Sequence, residues 1–244
     1  MKVTLLTHTP EPEKLVAAAA KLCYSQKADV DSLMESLTPE ATEKFLNKLV
    51  DLNHKSPLEH VSFTFAIEGV SRAFLAQQSR HRLQSMSVRS QRYCSEENFE
   101  TIMPSTVREN DQARIAYRSV EADIKNAYKK MQQVGITNED ARSVLPNSCE
   151  TRMIITMNAR ELLHYFGERC CVRAQKEIRT VANEMLRQCK EVAPILFKNA
   201  GPKCTKGYCP EGKMTCGARP TMDDLKKAYE LVEWNKKMTA VSSR

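Results

Sequence analysis

The residues best suited to chemistry lie in one arginine-rich segment, from Arg80 to Tyr93. Between Glu68 and Glu96 the chain has five arginines, no lysine and no acidic residue. Guanidinium groups bind phosphates and base edges through paired hydrogen bonds, so the segment predicts a site for a phosphate and a heterocycle. Composition alone leaves a second interpretation open, in which the segment is a solvated basic surface.

A helix that begins after Ser71 is predicted to present this segment. Ser71 is a suitable N-cap, and the helix is expected to run from about residue 72 through 82. Gln77, Arg80 and His81 are three and four residues apart, so they project from one side of that helix. Ser85 and Ser87 then favour a loop, because their hydroxyls compete with regular backbone hydrogen bonding.

The same segment resembles the signature of a known enzyme family. Arg80-His81-Arg82, a gap of seven residues and then Ser90 with Gln91-Arg92-Tyr93 are similar to the signature of flavin-dependent thymidylate synthases. The similarity covers roughly residues 1 to 200. At one position the chain departs from the pattern, since Val88 stands where the family often has Glu. The resemblance therefore implies that a ribose or loop contact is lost and that the arginines lack a local counter-charge.

The resemblance also implies roles outside the signature. His54 to His60 is similar to a family element in which the position of His54 lies near the folate. Arg169 matches the arginine that hydrogen-bonds the pyrimidine ring, and Arg142 matches one that reaches the nucleotide from a neighbouring subunit. The implied catalytic residues are Arg169 and His54. The implied cofactor-binding residues are Ser56, Glu59, Arg80, His81, Arg82, Leu83, Asn158, Arg160 and His164. The implied substrate-binding residues are Gln77, Arg80, Val88, Arg89, Ser90, Gln91, Arg92, Arg142 and Arg169.

The reaction that the resemblance implies converts dUMP to dTMP. It takes a methylene group from methylenetetrahydrofolate and reducing equivalents from NADPH through FAD, in a homotetramer with FAD at the subunit interface. The chain has no dinucleotide-binding glycine fingerprint, so FAD is not expected on a Rossmann module. Ser90 has no sequence neighbour that would serve as a general base, and we expect no enzyme nucleophile.

Composition restricts the class of protein. The 244 residues are 41% hydrophobic and 27% charged, which is typical of a globular protein with a sizeable core. The net charge of +7 suits an anionic substrate. No apolar run approaches membrane-spanning length, and with nine cysteines and no signal peptide we expect reduced thiols, no membrane partner and a cytoplasmic location.

A basic nucleic-acid-binding protein is the alternative function. Against it, the arginines are not interleaved with aromatic residues before Tyr93, and the one tryptophan is Trp234. We therefore expect no nucleic-acid partner. A flavoprotein would be yellow, whereas the alternative predicts a colourless protein that binds oligonucleotides with a strong salt dependence.

The hydrophobic pattern predicts an α+β fold, with a mixed or antiparallel central sheet flanked by long helices. Period-two alternation favours strands at 2–9, 61–67 and 152–157, and a further strand is expected to include 91–93. Ser56 and Glu59 have the spacing of a capping box, and Asn158 is expected to cap a second helix. The remaining predicted helices span 13–24, 39 onward, 108–134, 138–146, 170–192 and 221–237. Residues 1–200 are expected to form the family's domain, and 201–244 a cysteine-containing extension of it.

The cysteines near the C-terminus form a separate candidate site. Cys204, Cys209 and Cys216 follow a break at residues 199–202 and, together with Cys189, are enough ligands for one structural zinc ion. Their spacings are not the usual knuckle spacings, so a disulfide and free thiols remain alternatives. No metal is assigned at this stage, and a metal-stabilised interaction module is a third possible function.

Overall fold

Four strands form one antiparallel sheet in the computed structural model, which describes residues 1–26, 29–52 and 54–227. The sheet order is β1-β2-β4-β3, and every neighbouring pair is antiparallel. The strands are β1 (Lys2–His8), β2 (Ser62–Ser71), β3 (Ser85–Val88) and β4 (Glu150–Asn158). The prediction of an α+β protein with an antiparallel sheet is confirmed.

The helices of the described residues vary in length from one turn to six. They are α1 (Pro12–Leu22), α2 (Val30–Glu35), α3 (Pro39–Asp51), α4 (Arg72–Gln78), α5 (Ser105–Arg108), α6 (Asp111–Gln133), α7 (Asn138–Ala141), α8 (Ala159–Arg169) and α9 (Lys176–Val192). Short 3₁₀ turns occur at Ser56–His60, Arg142–Val144, Lys203–Lys206 and Gly212–Met214. Within these ranges, none of the helices combines the length and the apolar character needed to cross a membrane.

The hydrophobic core covers one face of the sheet. Phe65 of β2 lies opposite Ile155 of β4, and both side chains are fully buried. Helices α1, α8 and α9 supply the other side of this core, because each presents apolar residues at helical spacing. In α8, for example, Leu162, Tyr165 and Phe166 are fully buried. The core therefore fixes α8 against the central strands, and α8 carries several of the predicted site residues.

The opposite face of the sheet is less covered. Residues that alternate with the core positions of β4 are exposed, including Arg152 and Ile154, which is 47% exposed. Helix α6 would span about 34 Å, yet its buried residues are Glu121 and Tyr128. Ile115 and Val120 of this helix are 69% and 56% exposed. The described chain thus leaves apolar surface uncovered on α6 and on the sheet.

A β-bulge in β2 sets the entrance to the predicted site. The register of β2 against β4 shifts between Glu68 and Val70, and Gly69 has φ +69°. A Cβ atom at Gly69 would lie 2.8 Å from the backbone nitrogen of Met1, so the close approach of the chain requires glycine as well. After the bulge, Ser71 is buried and its hydroxyl caps α4 by accepting from the Phe74 amide, as predicted.

Three local predictions around the arginine segment were wrong. Helix α4 ends at Gln78, because the Gln84 side chain donates to the carbonyl oxygens of Gln78 and His81 and closes the turn. Residues 85–88 form β3 instead of a loop, since the alternating Met86 and Val88 pack against the core. Residues 91–93 lie in a turn and make no strand.

Of two further predicted helix caps, one does not form and one does, and one predicted helix begins later than expected. Ser56 and Glu59 do not form a capping box: residues 56–60 make a 3₁₀ turn without a side-chain cap, and Glu59 pairs with Arg160. Thr221 accepts from the Asp224 amide and begins a helix as predicted, but residues 228–237 of that helix lie outside the described residues. The predicted helix 108–134 corresponds to α6 (Asp111–Gln133), which begins after Asn110 because that residue caps it.

Candidate active site

A large cavity opens beside the N-terminus of α8. Its volume is about 1400 Å³, larger than the ~300–1,000 Å³ of a typical small-molecule pocket, so it has room for more than one ligand. The lining includes six of the residues predicted for cofactor or folate binding: His54, Glu59, Leu83, Asn158, Arg160 and His164. The structure therefore brings together residues that are more than a hundred positions apart in the sequence.

The N-terminus of α8 gives this cavity donors and a positive charge. Asn158 caps the helix by accepting from the Glu161 amide at 2.8 Å. Arg160, in the first turn, forms an ion pair with Glu59 of the 3₁₀ turn. Both side chains are about half exposed, so the ion pair contributes little to stability and can exchange for an anionic ligand. A helix N-terminus with an adjacent arginine is well suited to phosphate groups.

Beside the cavity, the buried side chains of His81 and Glu161 form a cluster with the half-buried Arg169. The Nδ1 atom of His81 is 3.3 Å from Oε1 of Glu161, and Nε2 of His81 accepts a hydrogen bond from Nε of Arg169 at 2.9 Å. His81 and Glu161 are each 6% exposed. Because a guanidinium group only donates, Nε2 must carry the lone pair and the ring proton lies on Nδ1, facing Glu161. We call these three residues the buried cluster.

The electrostatics of the buried cluster keep His81 neutral. Burial, with a further contribution from the charge of Arg169, lowers the pKa of His81 to about 4. Burial raises the pKa of Glu161. The ring of His81 also packs edge-on against Tyr165, at 4.8 Å between centroids, and lies 5.8 Å from the ring of His164. A neutral His81 is therefore fixed in one tautomer, and it orients the Arg169 side chain.

Helix α9 supports α4 from the other side of the cluster. The carboxylate of Glu177 accepts from the Ser71 amide at 2.7 Å and from the Ser71 hydroxyl at 2.6 Å. Gln175 bonds to Gln77, whose carbonyl oxygen accepts from Nη2 of Arg169 at 3.4 Å. Gln175 and Glu177 thus hold α4 in place.

Of the predicted substrate arginines, Arg89 is engaged inside the protein. Its guanidinium group pairs with the buried carboxylate of Glu96, and this hydrogen bond raises the pKa of Arg89. Arg72 donates to the carbonyl oxygen of Arg89 at 2.8 Å, and burial lowers the pKa of Arg72. The expectation that the segment has no local counter-charge was therefore wrong, because Glu96 provides one at its boundary.

Arg92 and Arg142 meet at Glu139 on the surface. Arg92 forms a paired contact with the Glu139 carboxylate, through Nε at 2.9 Å and Nη2 at 3.0 Å. Arg142 donates from Nε to the backbone oxygen of Glu139 at 3.1 Å. Ser90 lies beside them, and its hydroxyl accepts from the Arg92 amide at 3.2 Å. We call Arg92, Arg142 and Glu139 the surface cluster.

The remaining predicted residues make no hydrogen bond or ion pair with either cluster through their side chains among the described residues. In the part of the chain that the structure describes, the exposed side chains of Arg80 and Arg82 have no hydrogen bond or ion pair. Gln91 donates to the sulfur of the buried Cys149 at 3.4 Å. Val88 is partly packed against the core, and Ser56 is exposed. No hydrogen bond among the described residues joins the surface cluster to the buried cluster.

Sequence reasoning missed the carboxylates that hold these side chains. Glu161 was interpreted as part of a helix cap, whereas its side chain faces His81 and lines the cavity. Glu96 and Glu139 lie outside the arginine segment and carry no motif. Each carboxylate is brought to its partner by the tertiary fold or by a turn, which the sequence does not reveal. The local excess of arginine indicated only that counter-ions had to lie nearby in space.

The predicted zinc ligands do not gather as one set. Cys189 is fully buried in α9, whereas Cys204, Cys209 and Cys216 line a second cavity together with Cys171. Among the described residues, the group of three possible ligand atoms within 4.8 Å of one another is His81, Glu161 and His164. The two ring nitrogens of His81 already contact Arg169 and Glu161, so we interpret this group as a hydrogen-bonded cluster and not as a metal site.

Comparisons with known proteins agree on one family. Residues 4–195 match the family model described as "Thymidylate synthase complementing protein". A relative from Geobacter sulfurreducens, named flavin-dependent thymidylate synthase, is 50% identical over 219 residues, which cover 89% of this chain and 94% of the relative. Relatives of the same name from Clostridium tetani and Pyrococcus furiosus are 47% and 38% identical, over 94% and 86% of this chain and 97% and 90% of their own lengths.

Proposed function

This chain belongs to the family of flavin-dependent thymidylate synthases, and from that premise we propose that it converts dUMP to dTMP with FAD as cofactor. Methylenetetrahydrofolate is the proposed one-carbon donor and NADPH the proposed reductant. The observation that carries the proposal is the buried cluster, in which a neutral His81 holds Arg169 while Glu161 of the same cluster lines the large cavity with the predicted flavin residues. Residues 1–200 are the proposed catalytic domain, with 201–244 as an extension of it; residues between 201 and 210 contribute to the cavity wall.

The lining of the large cavity fits FAD. The α8 N-terminus, Asn158 and Arg160 supply donors and positive charge for a pyrophosphate, and Leu83 and Leu163 supply apolar surface for a ring system. When bound, reduced FAD supplies the hydride. Glu59, His164 and the exposed arginines of the signature complete the proposed set, while His54 is assigned to the folate end of the cavity.

Arg169 is the proposed catalytic residue. Its Nε donates to His81 and its Nη2 donates to the Gln77 carbonyl oxygen, so the plane of the guanidinium group is fixed by two contacts. The bond from Nη2 to the Gln77 oxygen is long, at 3.4 Å, and is easily exchanged for a pyrimidine oxygen or nitrogen. A fixed cation at the ring edge stabilises negative charge that develops on the pyrimidine during the reaction.

The proposed mechanism uses no enzyme nucleophile. Ser90 accepts from a backbone amide, and no general base bonds to its hydroxyl among the described residues. Burial raises the pKa of Cys149 to about 11, so this thiol is protonated at neutral pH. Mass spectrometry that found a covalent dUMP adduct on either residue would contradict this part of the proposal.

The substrate site is proposed to be completed by a neighbouring subunit of a homotetramer. The surface cluster and the buried cluster both contain predicted dUMP ligands, yet they are not joined within one described chain. The uncovered residues of α6 and of the outer sheet face supply apolar surface for such an interface. A tetramer would allow Arg92 and Arg142 of one subunit to reach a nucleotide held by Arg169 of another.

The deciding experiment follows NADPH oxidation by the flavin-loaded protein with and without dUMP. Stimulation by dUMP, with formation of dTMP when methylenetetrahydrofolate is present, supports the proposal. A colourless preparation whose oligonucleotide binding falls steeply with salt would instead favour a nucleic-acid-binding protein. NADPH oxidation that is indifferent to dUMP would remove the assigned substrate while leaving a flavoprotein.

A further inference from the structure

The cavity at the C-terminal end of α8 is lined by four thiols. Cys171 lies just after α8, and Cys204, Cys209 and Cys216 come from the segment that follows the core. All four are free cysteines, and the cavity volume is about 210 Å³. The sequence offered Cys189 as the fourth member, but the fold replaces it, because Cys189 lies in the core and does not line this cavity.

The C-terminal segment 201–227 has too little apolar burial to explain its structure. Of these residues, Gly201, Cys209 and Thr221 are buried, and none has a large apolar side chain. Short segments without a core are commonly stabilised by disulfides or by a metal ion. The segment nevertheless has defined 3₁₀ turns at Lys203–Lys206 and Gly212–Met214.

The backbone turns beside each of the three cysteines in this segment. Gly207, Gly212 and Gly217 have φ values of +114°, +53° and +79°, and they follow Cys204, Cys209 and Cys216 by three, three and one residues. Left-handed glycines let a short chain reverse direction next to a ligand. Repetition at three cysteines is typical of a chain that wraps around one centre.

Ion pairs bring this segment and α8 together around the cavity. Lys203 pairs with Glu168, and Arg173 pairs with Glu211, so the segment is tied to the end of α8 and to the turn that follows it. Both cations and Arg169 also line the cavity. Four thiolates around a divalent ion carry a net charge of −2. Glu168 and Glu211 line the cavity as well, so the three cations leave a net charge of +1, which offsets part of the charge of such a site.

We propose that Cys171, Cys204, Cys209 and Cys216 bind one structural Zn²⁺ ion that fastens the C-terminal segment to α8. Four thiolates at about 2.3 Å from zinc is the closed tetrahedral arrangement of structural sites. Such a site needs sulfur atoms about 3.8 Å apart, and no three of these sulfurs lie within 4.8 Å of one another in the structure. Binding therefore draws the sulfurs together, and each thiol loses its proton to solvent as the zinc–sulfur bond forms.

The zinc site has a consequence for the larger cavity. Gly167, Pro202, Lys203 and Pro210 line both cavities, so the segment that the ion fastens is also a wall of the proposed flavin site. Removal of the ion is expected to weaken binding of FAD several-fold and to lower the melting temperature. The zinc site is tested by metal content and not by enzyme activity. The result therefore stands whether or not the proposed reaction is correct.

The test measures zinc per chain in the full-length protein purified under reducing conditions. About one zinc is expected in the wild type and in Cys23→Ser, an exposed cysteine outside the cavity, and less than about a tenth in the serine variants of the four ligands. Cys189→Ala decides the fourth ligand: retention of zinc supports Cys171, whereas its loss together with retention in Cys171→Ser would overturn the assignment.

If a serine variant does not fold, titration of the reduced, metal-free wild-type protein with Co²⁺ tests the site without any substitution. Four thiolates predict strong sulfur-to-cobalt charge-transfer absorbance and the visible bands of tetrahedral cobalt, saturating at one ion per chain. Absence of these bands, or disulfides among the four cysteines in protein alkylated directly on cell lysis, would overturn the proposal.

Discussion

The buried cluster and the surface cluster place arginines in two different ways. Arg169 is held by a neutral histidine, so its positive charge remains available to a ligand. Arg92 is held by the Glu139 carboxylate, which neutralises it until a ligand displaces the contact. The first arrangement fixes orientation before binding, whereas the second protects a solvent-exposed charge. The difference teaches that a neutral partner leaves the charge of an arginine available, as the proposed catalytic role of Arg169 requires, whereas a carboxylate neutralises it, as at Arg92.

Replacement of Arg169 should have the largest effect. Arg169→Lys keeps the charge but loses the planar group and the Nε donor to His81, so kcat should fall about 10²–10³-fold. Steady-state kinetics with saturating dUMP measures the change. Arg187→Lys is the matched control, because Arg187 lies on the surface of α9 and pairs with Glu184 and Glu191. An unchanged kcat for Arg169→Lys would refute its catalytic role.

Arg92→Ala tests the binding role of the surface cluster. Loss of one charged contact of about 1.5–3 kcal/mol predicts a KM for dUMP that is raised about 10–100-fold, with a small change in kcat. Arg89→Ala provides the contrast, since it leaves the buried Glu96 without its cation and should lower the free energy of unfolding by about 3–5 kcal/mol. If denaturant unfolding showed equal losses for both variants, the distinction between them would fail.

His81→Gln tests the neutral partner through the pH dependence of stability. The pKa of His81 is about 4 when folded, and 6.5 is its ordinary value, so the unfolded chain binds more protons between these limits. The wild type should gain stability as pH rises from about 4 to 6.5, on the order of 3 kcal/mol from this group. Glu161, with its raised pKa, acts in the opposite sense in both proteins.

The His81→Gln variant should show a smaller rise in the free energy of unfolding between about pH 4 and 6.5 than the wild type. Denaturant titration at each pH measures this rise. The substitution should also reduce kcat about tenfold, since Arg169 loses its orientation. A purely structural role would change stability without changing kcat. Parallel stability profiles for the two proteins would show that His81 does not carry a depressed pKa.

Glu139→Gln should have the smallest effect. Both partners are about half exposed, so stability should change by less than about 1 kcal/mol. Release of Arg92 should lower the KM for dUMP about two- to fivefold. Glu97→Gln, which removes a comparable surface pair with Lys129, is the control. A raised KM would mean that Glu139 orders Arg92 for binding and does not compete with the ligand.

Local sequence rules predicted the elements that present the site. Ser71 and Asn158 both cap the helices expected of them, because capping depends on a few neighbouring residues. The same rules failed at residues 85–88, where Ser85 and Ser87 favoured a loop, whereas Met86 and Val88 pack against the core and the residues form β3. An edge strand of four residues forms only because β4 is already in place to pair with it.

By itself, the sequence determined the family, the helix caps at Ser71 and Asn158 and the concentration of arginines, since these depend on residue identity and spacing along the chain. The tertiary structure decided which partner each arginine has and therefore which charges stay available. It also decided that Cys171, and not Cys189, shares a cavity with the C-terminal cysteines. The physical reason is that counter-ions and metal ligands are selected by distance in space, and the sheet register and helix packing set that distance.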